Sequence, residues 1–295
     1  MNRKMNKTTG TRKSNKGKAA VAAAAAGASV SMFEPLEDRK MFSVVTVNGT
    51  NANDVIALAM NSQIVRVSVN GVGRAYIASR VDGIEINGFD GADRVVAGPS
   101  FSRPVTFHGG NGNDAMVGGR ANDTFDGGAG NDLMNASIGA DVFLGGPDTD
   151  LMDYSGTWAG INVTLDDAAN DGLLAGAEGD NIHSDVENVN GGLGNDTITG
   201  GGGNDTLEGH EHRDTLYGNS GCDDLLGRGG DDHLEGGPSG CDAARGMEGA
   251  PDAAIVWDDN SGNDTAYGGS GAPDKCYVGN QDFADLGSCE LIYSP

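Results

Sequence analysis

This chain is poor in the residues from which most enzymes of similar length build their interiors. Of its 295 residues, 5% are aromatic, with 8 Phe, 6 Tyr and 2 Trp. A large interdigitated side-chain core of the usual globular kind is therefore excluded. Positive charge is scarce too: 19 Lys and Arg stand against 43 Asp and Glu, for a net charge of −24. Nine of the basic residues and only three of the acidic ones fall in residues 1–43, so the body carries 10 basic and 40 acidic residues. A body of that charge repels nucleic acid and anionic membranes and favours cations. No apolar run is long enough to anchor the chain across a bilayer. The motifs of common catalytic sites are missing as well: there is no G-x-S-x-G, no H-E-x-x-H and no G-K-[ST].

What the chain has instead is glycine, 50 residues of it, and the glycine is in register. Residues 109–135 divide into GGNGNDAMV, GGRANDTFD and GGAGNDLMN. The aspartates Asp114, Asp123, Asp132, Asp141 and Asp150 recur every nine residues. Each is followed two places later by an apolar residue, namely Met116, Phe125, Met134, Phe143 and Met152. The pattern resumes over residues 191–235 with Asp196, Asp205, Asp214, Asp223 and Asp232, partnered by Ile198, Leu207, Leu216, Leu225 and Leu234. A flexible low-complexity linker would not hold both phases together.

The chemistry of the unit dictates a shape. Paired glycines permit the positive backbone angles of a tight turn, and Asn before Asp tolerates similar geometry. Three residues of strand follow, the middle one pointing inward. Turn, strand, turn, strand makes a coil of two nonapeptides, and stacked coils bury a narrow ladder of Ile, Leu, Met and Phe. Units two apart then lie one above another at about 4.8 Å. Ionised carboxylates at that spacing repel by roughly 3 kcal/mol at an effective dielectric of 20. A hard divalent cation reverses the sign, because aspartate oxygens and glycine carbonyls together offer the all-oxygen cage of six to eight donors that Ca2+ prefers. Zinc would call for His or Cys at these positions, and magnesium holds its waters too strongly. All ten aspartates are accordingly candidate calcium ligands.

The unit resembles the G-G-x-G-x-D-x-U-x nonapeptide of the repeats-in-toxin (RTX), or hemolysin-type, calcium-binding proteins. GGNGNDAMV, GGAGNDLMN, GGLGNDTIT and GGGGNDTLE match it best. The resemblance implies an all-β fold, a parallel β-roll or β-helix solenoid with calcium between turns, in which the sixth residue of each unit supplies the carboxylate. Departures fall at Ala136 in place of the first glycine, and at Asp148 and His212 in place of the fourth. Weaker copies, GTNANDVIA and GFDGADRVV, put Asp54 and Asp93 in the ligand position, and beyond Asp232 the spacing slips by one to Asp242.

Six regions follow. Residues 1–43 combine a basic start, an Ala-rich stretch and FEPLEDRKMFS, which looks like an export signal followed by a LEPR-like box. Residues 44–107 alternate in the manner of strands and read as wider β-helical coils, or else a small separate sandwich. Residues 108–153 form the first repeat block, 154–190 irregular connecting coils, 191–244 the second block, and 245–295 degenerate repeats with a terminal cap. In an exported chain four cysteines favour disulfides. Cys222 and Cys241 lie one coil plus one residue apart and are expected to pair, leaving Cys276 with Cys289. His210, Glu211 and His212 read as a solvated turn. The expectation is an extracellular, secreted or cell-surface protein that folds on calcium without catalysing a reaction. Its expected partners, beyond calcium, are surface polysaccharide or other matrix proteins. The alternative is a β-helical polysaccharide lyase or epimerase, for which the few scattered basic residues offer little.

Overall fold

The computed structural model describes residues 43–174 and 178–249, together with the segments 253–255, 265–268, 270–271, 274–278, 283–284 and 289–293. The export signal and the LEPR-like box lie outside the described residues. Apart from one 3-10 turn at Ala78–Arg80, the described regular structure is all strand. The strands wind into a parallel β-solenoid of about nine turns.

The nonapeptide sets the winding. Leu133–Asn135 pairs in parallel with Ala115–Val117 on one side and Leu151–Asp153 on the other, so that Met116, Met134 and Met152 stack. On the opposite wall Phe107, Phe125 and Phe143 stack in the same way. Their rings are parallel, with centroids 5.1 and 5.3 Å apart. All six side chains are fully buried. In each three-residue strand only the middle side chain points inward, since side chains alternate across a strand. The interior is therefore two facing ladders, one residue wide.

Two such ladders continue through the second block. Val189, Leu207 and Leu225 stack on one wall, and Ile198, Leu216 and Leu234 on the other. A 14-stranded sheet carries the first of these walls and the methionine wall of block one as a single surface. The facing wall changes partner between the blocks. A six-stranded sheet faces block one and ends at Asn181–Ile182, whereas an 8-stranded sheet, running from Gly172–Leu173 and Ile161–Thr164, faces block two. Residues 154–190 thus feed both facing sheets and the shared one.

At the N-terminal end, Ser43–Asn48 and Val55–Met60 pair in parallel with Val81–Asp90 and Arg94–Ala97, so residues 43–97 join the same stack. An antiparallel meander is inserted here: Val55–Met60, Ile64–Val69 and Val72–Ile77. Its second turn is Asn70-Gly71, with φ of 51° and 81°, the residue pair that suits a two-residue hairpin. Cys222 and Cys241 are disulfide-bonded with Cα atoms 4.4 Å apart, linking adjacent coils across the inserted residue. Cys276 is buried and disulfide-bonded, and its expected partner, Cys289, lies outside the described side chains.

Candidate metal centre

Each turn delivers its sixth-position aspartate to the edge of the solenoid, where the side chain folds inward. All ten aspartates of the strong repeats are buried, as are Asp54, Asp93 and Asp242. One carboxylate oxygen has a recurring task within the columns: Oδ1 accepts the backbone N–H of the residue stacked on it in the preceding coil. In the first column the N–H of Asp54 donates to Asp93, Asp93 to Asp114, Asp114 to Asp132 and Asp132 to Asp150, at 2.7–2.8 Å. A second column runs from Val105 through Asp123 and Asp141. Two more link Asp196, Asp214 and Asp232, and Asp205, Asp223 and Asp242. The stacking that implied bare repulsion is therefore bridged by amide donors, each offsetting part of the carboxylate's desolvation.

The other oxygen, Oδ2, divides the turns into two kinds. In Asp93, Asp114, Asp132, Asp150, Asp214 and Asp223 it is buried and has no hydrogen-bond partner. In Asp54, Asp123, Asp196 and Asp205 it accepts the backbone N–H of the second residue of its own turn, from Thr50, Gly119, Gly192 and Gly201, at 2.6–2.7 Å. In Asp141 it accepts the Ser137 hydroxyl at 2.6 Å.

The first glycine explains what an open Oδ2 faces. A Cβ on Gly109 would collide with Asp114 Oδ2 and with the carbonyl oxygen of Gly127 in the next coil. Gly88 stands in the same relation to Asp93 and Gly109, Gly127 to Asp132 and Gly145, and Gly218 to Asp223 and Gly236. The missing side chain thus leaves a small oxygen-lined space between two turns, bounded by a carboxylate oxygen of one and a carbonyl of the other. At Ala136 that position carries a methyl group.

Burial drives the carboxyls upward in pKa. Desolvation is the main cause in every case, with neighbouring carboxylates adding to it and backbone donors opposing it. Asp114 and Asp223 rise to about 6, Asp132 and Asp150 to about 7, and Asp214 to about 8. A compensating cation at Oδ2 would restore the ionised form. Among the described residues no three His, Cys, Asp or Glu side chains converge as a metal-holding group. Backbone carbonyls must then supply most of the donors, which suits a hard cation and excludes a thiolate or imidazole cage. His210 and His212 form no such centre; His210 Nδ1 instead lies 3.3 Å from Glu208.

Three groups outside the nonapeptides, buried Asp180, half-buried Glu187 and buried Asp171, add to the columns. Asp180 accepts the N–H of Asp141 at 2.8 Å and the hydroxyl of buried Tyr154 at 2.9 Å. Glu187 accepts the N–H of Asp150 at 2.9 Å. Asp171 accepts Thr164 and Ile182 N–H groups at 2.7 and 2.8 Å. For the first two a sequence signal exists: like the repeat aspartates, each precedes a buried apolar residue by two places, Ile182 and Val189.

Residues 108–143, 117–152, 184–211, 190–225 and 208–238 match the RTX calcium-binding nonapeptide repeat. The chain carries several copies of this repeat across residues 108–238, and the ion that the repeat binds is calcium. No curated protein matches the chain.

Proposed function

We propose that this is an exported, non-catalytic protein whose coils are held together by calcium, acting as a surface, matrix or adhesion component. The observation that carries the reading is the set of buried, unpartnered Oδ2 atoms on Asp93, Asp114, Asp132, Asp150, Asp214 and Asp223. An ionised oxygen sealed from water without a partner is strongly destabilising, and a bound cation supplies the missing charge. The residues that would hold it are these carboxylates and the carbonyls of the glycines beside them. Calcium would neutralise the two edges and so substitute for the interior that a ladder one residue wide does not provide.

Three features support export. Free calcium is plentiful outside cells, so a chain of this kind would fold after leaving the cytosol. The Cys222–Cys241 bond suits an oxidising compartment. The basic, then Ala-rich, start resembles an export signal. No helix of the described residues is long and apolar enough to cross a membrane. The scarcity of basic residues in the body, 10 against 40 acidic, favours a binding or structural role with polysaccharide or matrix protein as partner.

Far-ultraviolet circular dichroism across a calcium titration tests the reading, with magnesium as control. β signal should appear with calcium at millimolar levels and not with magnesium. A spectrum that is fully β in calcium-free buffer at pH 8 and unchanged by calcium would sink it.

A further inference from the structure

The two kinds of turn follow a rule of position. Each column begins with a closed turn, one whose Oδ2 is taken by its own backbone. Turn 49–54 heads the first column, 118–123 the second, 191–196 the third and 200–205 the fourth. The turns stacked behind them, at Asp93, Asp114, Asp132, Asp150, Asp214 and Asp223, are open. Turn 136–141 is the exception, closed by Ser137 and carrying the Ala136 methyl.

The backbone angle of the second residue is what separates the two states. In the open turns it is left-handed: φ is 82° at Phe89, 109° at Gly110, 98° at Gly128, 104° at Gly146, 81° at His210 and 71° at Asn219. In the closed turns Thr50, Gly119, Ser137, Gly192 and Gly201 do not adopt it. The left-handed angle swings the N–H away from the aspartate and toward the next coil, as when Gly128 N–H donates to Gly145 O at 3.1 Å. A closed turn instead packs on a coil that is not a repeat: the chain at Gly119 lies against Phe101, at Gly192 against Tyr154 and Thr157, and at Gly201 against Leu165. With a coil that is not a repeat packed against it, the second residue does not take the left-handed angle, and its N–H turns back onto its own aspartate.

We infer that calcium enters only the open turns, and that Asp123, Asp141, Asp196 and Asp205 are metal-free staples. This inference rests on the calcium reading above and narrows it. In block one it places the ions along one edge, in the column through Asp93, Asp114, Asp132 and Asp150, and leaves the opposite edge closed by protein donors alone. A cation at a closed turn would compete with an amide N–H already bound to the same oxygen, and that N–H would then point its positive end at the ion.

The experiment counts calcium per full-length chain at saturation, by equilibrium dialysis followed by elemental analysis, with circular dichroism confirming that each variant is folded. Asp132→Asn should lower the count by at least one ion, while Asp123→Asn should leave it unchanged. The double substitution Ala136→Gly with Ser137→Gly removes the methyl and the hydroxyl donor from the one closed turn that has a repeat turn ahead of it. It should raise the count by one. Loss of calcium from Asp123→Asn equal to that from Asp132→Asn would overturn the inference. So would an unchanged count in the folded double variant, which does not depend on the aspartate variants folding. Wild-type protein that binds no calcium at all would instead refute the underlying reading.

Discussion

Phe125 is the middle ring of the Phe107–Phe125–Phe143 stack and is fully buried. Its truncation to alanine links the two sources of order in this fold. Phe→Ala in a core costs about 3–5 kcal/mol, and the ladder leaves little room for collapse because each neighbour belongs to a fixed rung. The column facing this wall has four open turns, at Asp93, Asp114, Asp132 and Asp150. If calcium offsets a loss of about 4 kcal/mol, each site must supply about 1 kcal/mol more, which requires roughly fivefold more free calcium. The assay is a calcium titration of methyl-labelled protein. Methionine methyls of Met116, Met134 and Met152 report block one, while Ile198 and Leu216 report block two. The block-one midpoint should rise on the order of fivefold. The block-two midpoint should stay within a factor of about two, because coils in a solenoid couple chiefly to their neighbours. Phe125→Leu, which keeps most of the volume, should move the block-one midpoint much less. An unmoved block-one midpoint in Phe125→Ala would show that the ladder and the ions do not share one folding equilibrium.

Two further predictions concern the turns. Without metal, burial holds the carboxyls of Asp114, Asp132 and Asp214 at about 6, 7 and 8 in the coil, against 3.8 ordinarily. Because the folded values are raised, their contribution to stability is fully present below about pH 4 and is lost as pH climbs through 6 to 8. Calcium-free protein should therefore gain β signal on acidification from pH 8 to pH 5, and equal signal at the two values would contradict the burial of these groups. Gly109→Ala puts a methyl where Asp114 Oδ2 and the Gly127 carbonyl converge. It should weaken calcium binding in block one by at least tenfold, read by isothermal titration, whereas Gly73→Ala, whose methyl would meet the Val67 carbonyl oxygen at an unstrained 3.9 Å, should leave binding unchanged.

Much of this architecture was legible because the nonapeptide encodes both its turn and its inward residue. Met116, Phe125, Met134, Phe143 and Met152 are each fully buried, as an apolar residue two places after aspartate requires. The aspartates too are all at the edge and all buried. What the repeat does not encode is what lies beneath it. GGLGNDTIT and GGNGNDAMV are almost the same words, yet Gly192 donates to Asp196 while the Asp114 Oδ2 has no donor. The difference lies in the preceding coil, Tyr154 and Thr157 for the one and the turn at Phe89 for the other. Likewise, nothing in a nine-residue period announces that residues 154–190 exchange one facing sheet for another, since both sheets read the same inward-facing signal.

The closed head turns bear on how such a stack starts. If calcium enters the open turns as proposed, such a turn needs three things together: a repeat turn ahead, a carbonyl from the turn behind, and an ion between them. The first turn of a column lacks the first of these, and an ion there would have to order two coils at once. Closing that turn with its own N–H gives Oδ2 of Asp196 and of Asp205 a protein donor at 2.7 Å, and in Asp196 the Ile161 N–H also donates to Oδ1 at 3.0 Å. Such a turn can form without metal and present a finished edge on which the Asp214 and Asp223 turns then stack. Column heads so built divide the unfavourable nucleation step from the calcium-driven growth step, in the way a helix separates its first turn from those that follow. On the proposed reading the metal requirement belongs to propagation, and a column lengthens only as far as repeat turns continue to follow one another in register.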